Sequence, residues 1–322
     1  MKDRWDNLLL TMNGMFQQGE QIYQALLKIS GEKKGILVCP EHIGDTVLIA
    51  SLAEEYKRRN HLEFMIVVSY TVPPEVLQFF PGVDSALQLE KQSMKALEFY
   101  MIVSEKYCEN GICYAFHRRW AELHTSGIVY NFFSDTGKTL IETIRGMLFL
   151  EPDHRMHRMD RLPKPSEEER EKYWNAVLLM PGTYTEKALP VSFWEELACR
   201  FVQAGYEVYN NYNGNDCEIL IEGAIPLSTS LADISRLACC FHGFVGIRSG
   251  ICDLLTFAGA KKLLMIYHGE KGTYHIETME GDLYQNWMGN VNGNPNLHIV
   301  EGEEKLLEAI VEEDFGFGSK YE

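Results

Sequence analysis

FHGFVGIRSGICDLLTFAGAKKLLMIY, the stretch from Phe241 to Tyr267, decides the fold class. Phe244-Val245-Gly246-Ile247 is an apolar run with the length and composition of a buried parallel strand. Arg248-Ser249-Gly250 follows as a turn, and Ile251 to Ala258 has helical spacing, with Ile251, Leu254, Leu255 and Ala258 on one face. Gly259 stops the helix, Lys261 and Lys262 cross the surface, and Leu263 to Tyr267 resumes as a second buried strand. Strand, tight turn, helix and strand in so short a span make a compact βαβ unit. A Ser-Gly turn feeding a helix start leaves main-chain N–H groups and a positive dipole end at the carboxyl edge of a sheet. That is a phosphate-binding arrangement, and Arg248 adds a cation beside it. The same residues also suit a plain βα turn with a surface arginine, and this stretch alone leaves both readings open.

The alternation continues outward in both directions. Upstream of the unit, Ser230 caps a helix from Leu231 to Cys240, Ile225-Pro226-Leu227 is a short strand, and Tyr206 to Tyr209 is another. Before these, Val177 to Met180 is a buried strand, Pro181-Gly182-Thr183 its turn, and Ser192 to Ala204 a helix with Phe193, Leu197 and Phe201 inward. Downstream, Val291 to Asn296 is a loop, Leu297 to Val300 a last strand and Glu303 to Glu312 a terminal helix.

The first half has the same plan. Trp5 to Ile29 carries a helical period interrupted near Gly14 and Gly19, which predicts one broken helix or two short ones on the outside. Gly35 to Cys39, Glu63 to Val68, Val83 to Leu89 and Ile112 to Phe116 read as strands, with helices over Glu75 to Phe80 and Ser93 to Tyr107. Val129 to Phe133 and Thr139 to Leu148 read as a last strand and helix. After Cys39, Pro40-Glu41-His42-Ile43-Gly44-Asp45-Thr46 leads into a helix reaching Arg59, with Asp45 or Thr46 as its cap. Asp45 there is either an N-cap or a group offered to a substrate at the strand's carboxyl end. His117-Arg118-Arg119-Trp120 is either a cation cluster for an acceptor or a solvated loop.

Strands alternating with helices in both halves make the fold α/β, with two doubly wound parallel sheets. Glu151 to Lys172 is proline-bearing, poor in apolar residues and ends in a charge run, so it separates the halves. The expected organisation is a helical extension over residues 1–33, a first domain over 34–158, a linker over 159–172 and a second domain over 173–322.

Composition narrows the function. The chain has 322 residues, 46% hydrophobic and 24% charged, as a folded two-domain protein requires. A formal charge of −16 argues against nucleic acid as a partner, because phosphate backbones are gripped by Lys/Arg-rich faces. It leaves room for a small phosphorylated ligand held by two or three local cations. Eight cysteines are scattered without a Cys-x-x-Cys pair, and Cys108/Cys113 lacks a matching His or Cys pair for zinc. They read as buried reduced thiols of a cytoplasmic protein, since the start carries two acids and no signal-like apolar core.

Four segments, in order, resemble the lipopolysaccharide heptosyltransferases of glycosyltransferase family nine. Ile43-Gly44-Asp45-Thr46-Val47-Leu48 is similar to the family's Ile-Gly-Asp-Val segment, and Pro181-Gly182 with Lys187-x-x-Pro190 to its Pro-Gly…Lys-x-Trp-Pro. Ser228 to Leu237 resembles the loop and helix before the donor turn, and Ile247 to Leu254 stands where the family has Asp-Ser/Thr-Gly-x-x-His. The resemblance implies the GT-B architecture, two Rossmann-like domains facing across a cleft, with acceptor on the first and nucleotide-diphosphate sugar on the second. It implies Asp45 as general base with His42 and Gly44 on the acceptor side. It implies Lys187, with Gly182, Thr183, Ser249 and Gly250, at the diphosphate. Arg248 replaces the family's Asp, Asp253 its His, and Leu189 its Trp. The first exchange inverts the charge beside the phosphates, so ADP-heptose does not carry over as donor, and a guanidinium–phosphate fork becomes available. Asp253 either orients Arg248 or a donor hydroxyl, or is simply a favourable acid in a first helical turn. Tyr284 and Trp287 either line the donor pocket or pack in the core.

The expected activity is sugar transfer from a nucleotide-diphosphate donor to an acceptor hydroxyl in cell-surface glycan assembly, by the inverting route. Asp45 would take the proton, and Lys187, Arg248 and the Ser249-Gly250 amides would receive the leaving charge. No cofactor and no metal is expected, since no Asp-x-Asp motif occurs. A glycan or lipid-linked acceptor would bring the chain to the membrane periphery, and the oligomeric state is left open. Two alternatives share the architecture: a nucleotide-sugar 2-epimerase, which would release an altered donor without any acceptor, and a non-catalytic nucleotide-sugar-binding protein.

Overall fold

The computed structural model describes residues 2–115, 140–183, 187–214, 219–269, 272–280 and 297–314. The chain divides into two units, Met1–Arg161 and Leu162–Glu322. Helices α1 (Lys2–Ile29), α2 (Ile43–Ser51), α3 (Ala53–Arg59), α4 (Pro74–Leu77), α5 (Lys91–Val103) and α6 (Leu140–Met147) belong to the first. So do strands β1 (Lys34–Cys39), β2 (Phe64–Ser69), β3 (Ser85–Gln88), β4 (Cys108–Glu109) and β5 (Ile112–Tyr114).

The five strands form one sheet in the order β3-β2-β1-β5-β4. β3, β2, β1 and β5 are parallel, and β4 is an antiparallel edge. One face of this sheet buries Ile36, Val38, Ile66, Val68, Ile112 and Tyr114 under α1 and α5. On the other side α2 contacts β1 and α6, and α3 contacts β2.

Helix α1 is continuous, where the glycines predicted an interruption. Gly14 is exposed and has open space where a Cβ would stand, so it costs only propensity. Gly19 is buried where α1 crosses α5. A Cβ there would overlap the Ala96 carbonyl oxygen and lie 2.6 Å from Tyr100 Cβ. The glycine is thus a point of close helix approach, flanked by the Phe16–Tyr100 and Tyr23–Tyr100 ring contacts at 5.1 and 5.4 Å. The helix predicted from Asp45 or Thr46 to Arg59 also differs. It starts at Ile43 after His42, and Leu52 divides it into α2 and α3.

Residues 151–161, poor in apolar side chains, are nonetheless pinned to the first unit. Met156 and Met159 are buried, and the His157 amide donates to the Ser51 carbonyl at 2.8 Å. Arg161 Nη1 donates to the Val83 carbonyl at 2.8 Å. His157 Nε2 and Glu55 Oε1 are hydrogen-bonded at 3.0 Å. Burial pushes the Glu55 carboxyl up, but Arg58 at 2.6 Å and His157 outweigh it and leave the pKa below the usual value.

The second unit contains α7 (Glu167–Tyr173), β6 (Ala176–Met180), α8 (Val191–Gln203), β7 (Glu207–Asn211) and β8 (Ile225–Leu227). It continues with α9 (Leu231–Leu237), β9 (Gly243–Ile247), α10 (Gly250–Phe257), β10 (Lys262–His268), β11 (Thr273–Glu280), β12 (Leu297–Glu301) and α11 (Glu303–Glu308), which ends in π-helical turns over Ala309–Asp314. The sheet order is β12-β11-β10-β9-β6-β7-β8, parallel from β10 to β8 and antiparallel at β11 and β12. Phe193, Trp194, Leu197 and Phe201 of α8, with Leu306 and Ile310, cover one face over Val177, Leu179, Val245, Ile247, Leu264 and Ile266. On the other side, Tyr173 stacks on Phe241 at 4.6 Å, and Phe241 meets Phe244 at 5.2 Å. Ser166 forms a capping box with Glu169, and Glu169 also receives both terminal nitrogens of Arg236 at 2.6 and 2.7 Å. That guanidinium holds the Glu169 carboxyl down at about 2.

The architecture is therefore two α/β units, each built on a largely parallel sheet with helices against it. Strands β4 and β11 are elements that sequence periodicity missed. His117–Trp120, Val129–Phe133, Tyr284, Trp287 and Val291–Asn296 lie outside the described residues. Of the cysteines, Cys39, Cys113, Cys240 and Cys252 are buried as expected, but Cys108, Cys199 and Cys239 are exposed. Cys108 lies on an edge strand and Cys199 on a helix with an outward face, where small apolar side chains need not be covered.

The crossing of α1 and α5 gives a paired stability prediction. Gly19→Ala should destabilise the chain by about 1–3 kcal/mol, because backbone must move to admit one methyl group. Gly14→Ala should stabilise it by up to about 1 kcal/mol through helix propensity. Urea midpoints of the two variants check both signs; equal midpoints would remove Gly19 from the contact.

Candidate functional site

In the second unit the parallel strands, numbered by their order in the chain, lie as fifth, fourth, first, second and third across the sheet. Strand order reverses between β6 and β9, and open α/β sheets bind ligands at the carboxyl ends of the strands flanking that reversal. The turn after β6 is Pro181-Gly182-Thr183, and the turn after β9 is Arg248-Ser249-Gly250. Met180 pairs with Gly246, and a Cβ on Gly246 would come within 2.9 Å of the Met180 Cβ and carbonyl oxygen. Glycine there lets the two strands run together to their ends and sets the two turns side by side.

Ser249 is the N-cap of α10 in extended backbone, and its side chain does not cap the helix. Its hydroxyl lies 3.8 Å from Cys252 Sγ, while its carbonyl accepts from the Cys252 and Asp253 amides at 3.0 and 3.3 Å. The N-cap side chain therefore leaves the first-turn amides to other acceptors, and the dipole adds to their pull on an anion. At the far end, Gly259 takes the left-handed conformation, φ +83°, after the Ala258 cap, as a helix stop requires.

Arg248 and Asp253 meet. Arg248 Nη2 donates to Asp253 Oδ2 at 3.1 Å, and Asp253 is only 2% exposed. Beneath them Tyr267 donates to Glu277 Oε2 at 2.6 Å, and Glu277 has no exposure at all. Burial first, then the Glu277 charge, raise the Tyr267 phenol far above its ordinary range. One tip of the Arg248 fork is thus held by a buried carboxylate, so less of its charge is offered outward than a solitary arginine would offer.

Lys187 is exposed, three residues before Pro190 and α8. Leu189, at the position of the family's Trp, is buried in the α8 core. Lys187 lies close enough to the end of β10 to act on His268: burial lowers the His268 pKa first, and the Lys187 charge lowers it further. Tyr274 packs edge-on to His268 at 5.1 Å, and the Gly269 amide donates to the Thr273 carbonyl at 2.9 Å. His268, Gly269 and Tyr274 thus join the carboxyl edge beside Lys187, and His275, opposite Tyr267 in the register, stands near them. None of these four was singled out in the sequence. The only available cue was the His-Gly pair closing a buried strand.

In the first unit the strand order reverses between β1 and β5, and Asp45 follows β1 in the first turn of α2. Its negative charge suits that end of the helix. Burial chiefly, and then Asp45, push the Cys39 thiol up. Burial, Glu41, Glu98 and Asp45, in that order, raise the Tyr70 phenol. Asp45 therefore lies near the carboxyl ends of β1 and β2. The predicted caps are not the ones used: His42 is the N-cap residue, is exposed and makes no side-chain capping bond, while Gly44 is buried in the first turn. Asp45 is the third helical residue instead, because the extended Pro40-Glu41-His42 segment lets the helix begin at Ile43.

No protein-family model and no curated protein matches the sequence. Among solved structures, the chain is similar to E. coli ADP-heptose lipopolysaccharide heptosyltransferase II, at 17% identity and TM-score 0.49 over 73% of this chain and 84% of that one. It is similar to a glycosyl transferase family 9 protein from Veillonella parvula at 14% and 0.47, over 73% and 80%. It is also similar to E. coli heptosyltransferase WaaC, solved with ADP-2-deoxy-2-fluoro heptose, at 13% and 0.48, over 74% and 91%. These likenesses concern chain arrangement, at low identity.

The position of Lys187 is open to direct measurement. Lys187→Met should move the His268 titration midpoint up, toward the ordinary value of about 6.5. Nuclear magnetic resonance titration of the imidazole Cε1 proton reads this; an unmoved midpoint would take Lys187 away from the β10 end.

Proposed function

We propose that the chain is a glycosyltransferase that moves a sugar from a nucleotide-diphosphate donor to an acceptor hydroxyl, the donor binding to the second unit. The observation that carries this reading is the pairing of β6 with β9 at the strand-order reversal. It sets Gly182-Thr183 and Arg248-Ser249-Gly250 side by side at one sheet edge. Main-chain amides at a helix start plus a lysine match the charge and size of a pyrophosphate.

In this reading the bond from the anomeric carbon to the diphosphate oxygen breaks as the acceptor oxygen forms its own bond to that carbon from the opposite face, which inverts the configuration. The diphosphate leaves with the bonding electrons, and its growing charge meets the Ser249-Gly250 amides and Lys187. Arg248, held by Asp253, fixes the electrostatics of the turn. Asp45 of the first unit takes the proton from the acceptor hydroxyl, with His42 and Gly44 on the acceptor side. These groups supply the charge the reaction needs without a divalent ion. The acceptor class is a sugar hydroxyl of a growing cell-surface glycan or lipid-linked saccharide. Among the described residues no helix is long and apolar enough to cross a membrane.

A thermal-shift panel of nucleoside diphosphates and their sugars tests the reading, since saturation at about 100 times Kd contributes about 2.7 kcal/mol to the folded state. One base should raise the Tm saturably, and Lys187→Ala should weaken that ligand about tenfold or more, the loss of one charged hydrogen bond. Asp45→Asn should retain the shift and lower transfer by about 10²–10⁴-fold. No shift with any nucleotide, or wild-type transfer by Asp45→Asn, would contradict the reading.

A further inference from the structure

Strands β4 and β5 form a hairpin whose two-residue loop is Asn110-Gly111. Both residues have positive φ, 51° and 78°, the signature of a type I′ turn, and Asn-Gly is the sequence that favours it. That turn fixes the register. Glu109 faces Ile112, Cys108 faces Cys113, and the Tyr114 amide donates to the Tyr107 carbonyl at 2.6 Å. Cys108 and Cys113 therefore occupy the position between two hydrogen-bonded pairs. Here facing Cα atoms approach to about 4.5 Å and the side chains leave the same face. Such a spacing lies within the range a disulfide spans. The two sulfurs are in contact at 2.6 Å.

The hairpin is held from both sides. The Ile36 amide donates to the Gly111 carbonyl at 2.8 Å, Leu37 pairs with Cys113, and Tyr23 donates to Glu109 at 3.2 Å. The two thiols differ in access: Cys108 is exposed on the edge strand, and Cys113 is buried beside β1. One sulfur is thus open to an external reagent, and the other, buried, lies in contact with the first. That is the division between an attacking and a resolving thiol.

We propose that Cys108 and Cys113 are a reversible dithiol–disulfide pair that exchanges with small-molecule disulfides such as glutathione disulfide. The Cys108 thiolate attacks one sulfur of the reagent, the reagent's S–S bond breaks, and one small thiolate leaves. The Cys113 thiolate then attacks the Cys108 sulfur of the mixed disulfide and releases the second. Two protein thiols are oxidised, one external disulfide is reduced, and the two protons that leave the protein thiols end, by way of solvent, on the two small thiolates released. Intramolecular resolution places the second thiol at a high effective concentration, which exposed solitary cysteines such as Cys199 lack.

The test uses the full chain equilibrated across a range of glutathione disulfide-to-thiol ratios, quenched by alkylation and mapped without reduction. The Cys108–Cys113 cross-link should reach half-occupancy at a ratio about tenfold or more below that giving half-modification of Cys199. It should reverse fully on adding excess glutathione. Cys113→Ser should stop at a glutathione adduct on Cys108. Cys108→Ser, an exposed change that leaves the core intact, should leave Cys113 unmodified. Accumulation of an unresolved Cys108 adduct in the unaltered chain, or half-occupancy no earlier than at Cys199, would overturn the proposal.

Discussion

The parallel pairing of β6 with β9 is the constraint on which the candidate site depends. Met180 sits opposite Gly246, and no larger residue than glycine fits that approach without displacing a backbone carbonyl. Because the strand order reverses at this pair, the chains leaving β6 and β9 turn to opposite faces of the sheet and open a gap at its edge. Both turns reach that gap, and the helix following β9 starts there with a serine whose side chain leaves its amides alone. The apolar side chains of α8 and α11 pack on one face of the strands that carry both turns.

The electrostatics of that edge come from pairs more than from single charges. Where the resembled family carries an acid before the Ser/Thr and a histidine in the first helical turn, this chain carries Arg248 and Asp253, bonded to each other. Two departures that look independent in sequence form one arrangement, with acidic and basic members exchanged between the same two positions. Replacing only one would strand a charge with little water around it, which explains why they occur together. Tyr267 and Glu277 add a second buried polar pair below, on strands that are otherwise apolar. Burial first, and the Lys187 charge second, lower the His268 pKa and favour its neutral form.

Local chemistry made much of this legible. The apolar runs that became β1, β2, β6, β9 and β10 have no polar interruption, and Ser230 caps α9 through the Asp233 amide at 3.0 Å as its sequence predicts. The turn at Arg248-Ser249-Gly250 was readable because it lies between a strand and a helix that each declare themselves. Strand β11 was not, because Thr273 to Glu280 buries residues on both faces, among them Glu277, and so shows no clean alternation. Gly19 misled for a related reason: a glycine kept for close packing looks the same in sequence as one kept for a bend. The contact of Arg248 with Asp253 was an open alternative that one helical turn made possible, whereas the approach of Lys187 to His268 joins distant positions and needed the strand order.

Hydrogen exchange at the main-chain amides from Ser249 to Ile251 tests the central claim most directly, with and without a saturating nucleoside diphosphate. If this turn holds the pyrophosphate, the Ser249, Gly250 and Ile251 amides should slow on ligand addition while amides at the outer end of α10, near Phe257, stay unchanged. Stabilised folding with no protection at Ser249 to Ile251 would place the anion elsewhere and contradict the account.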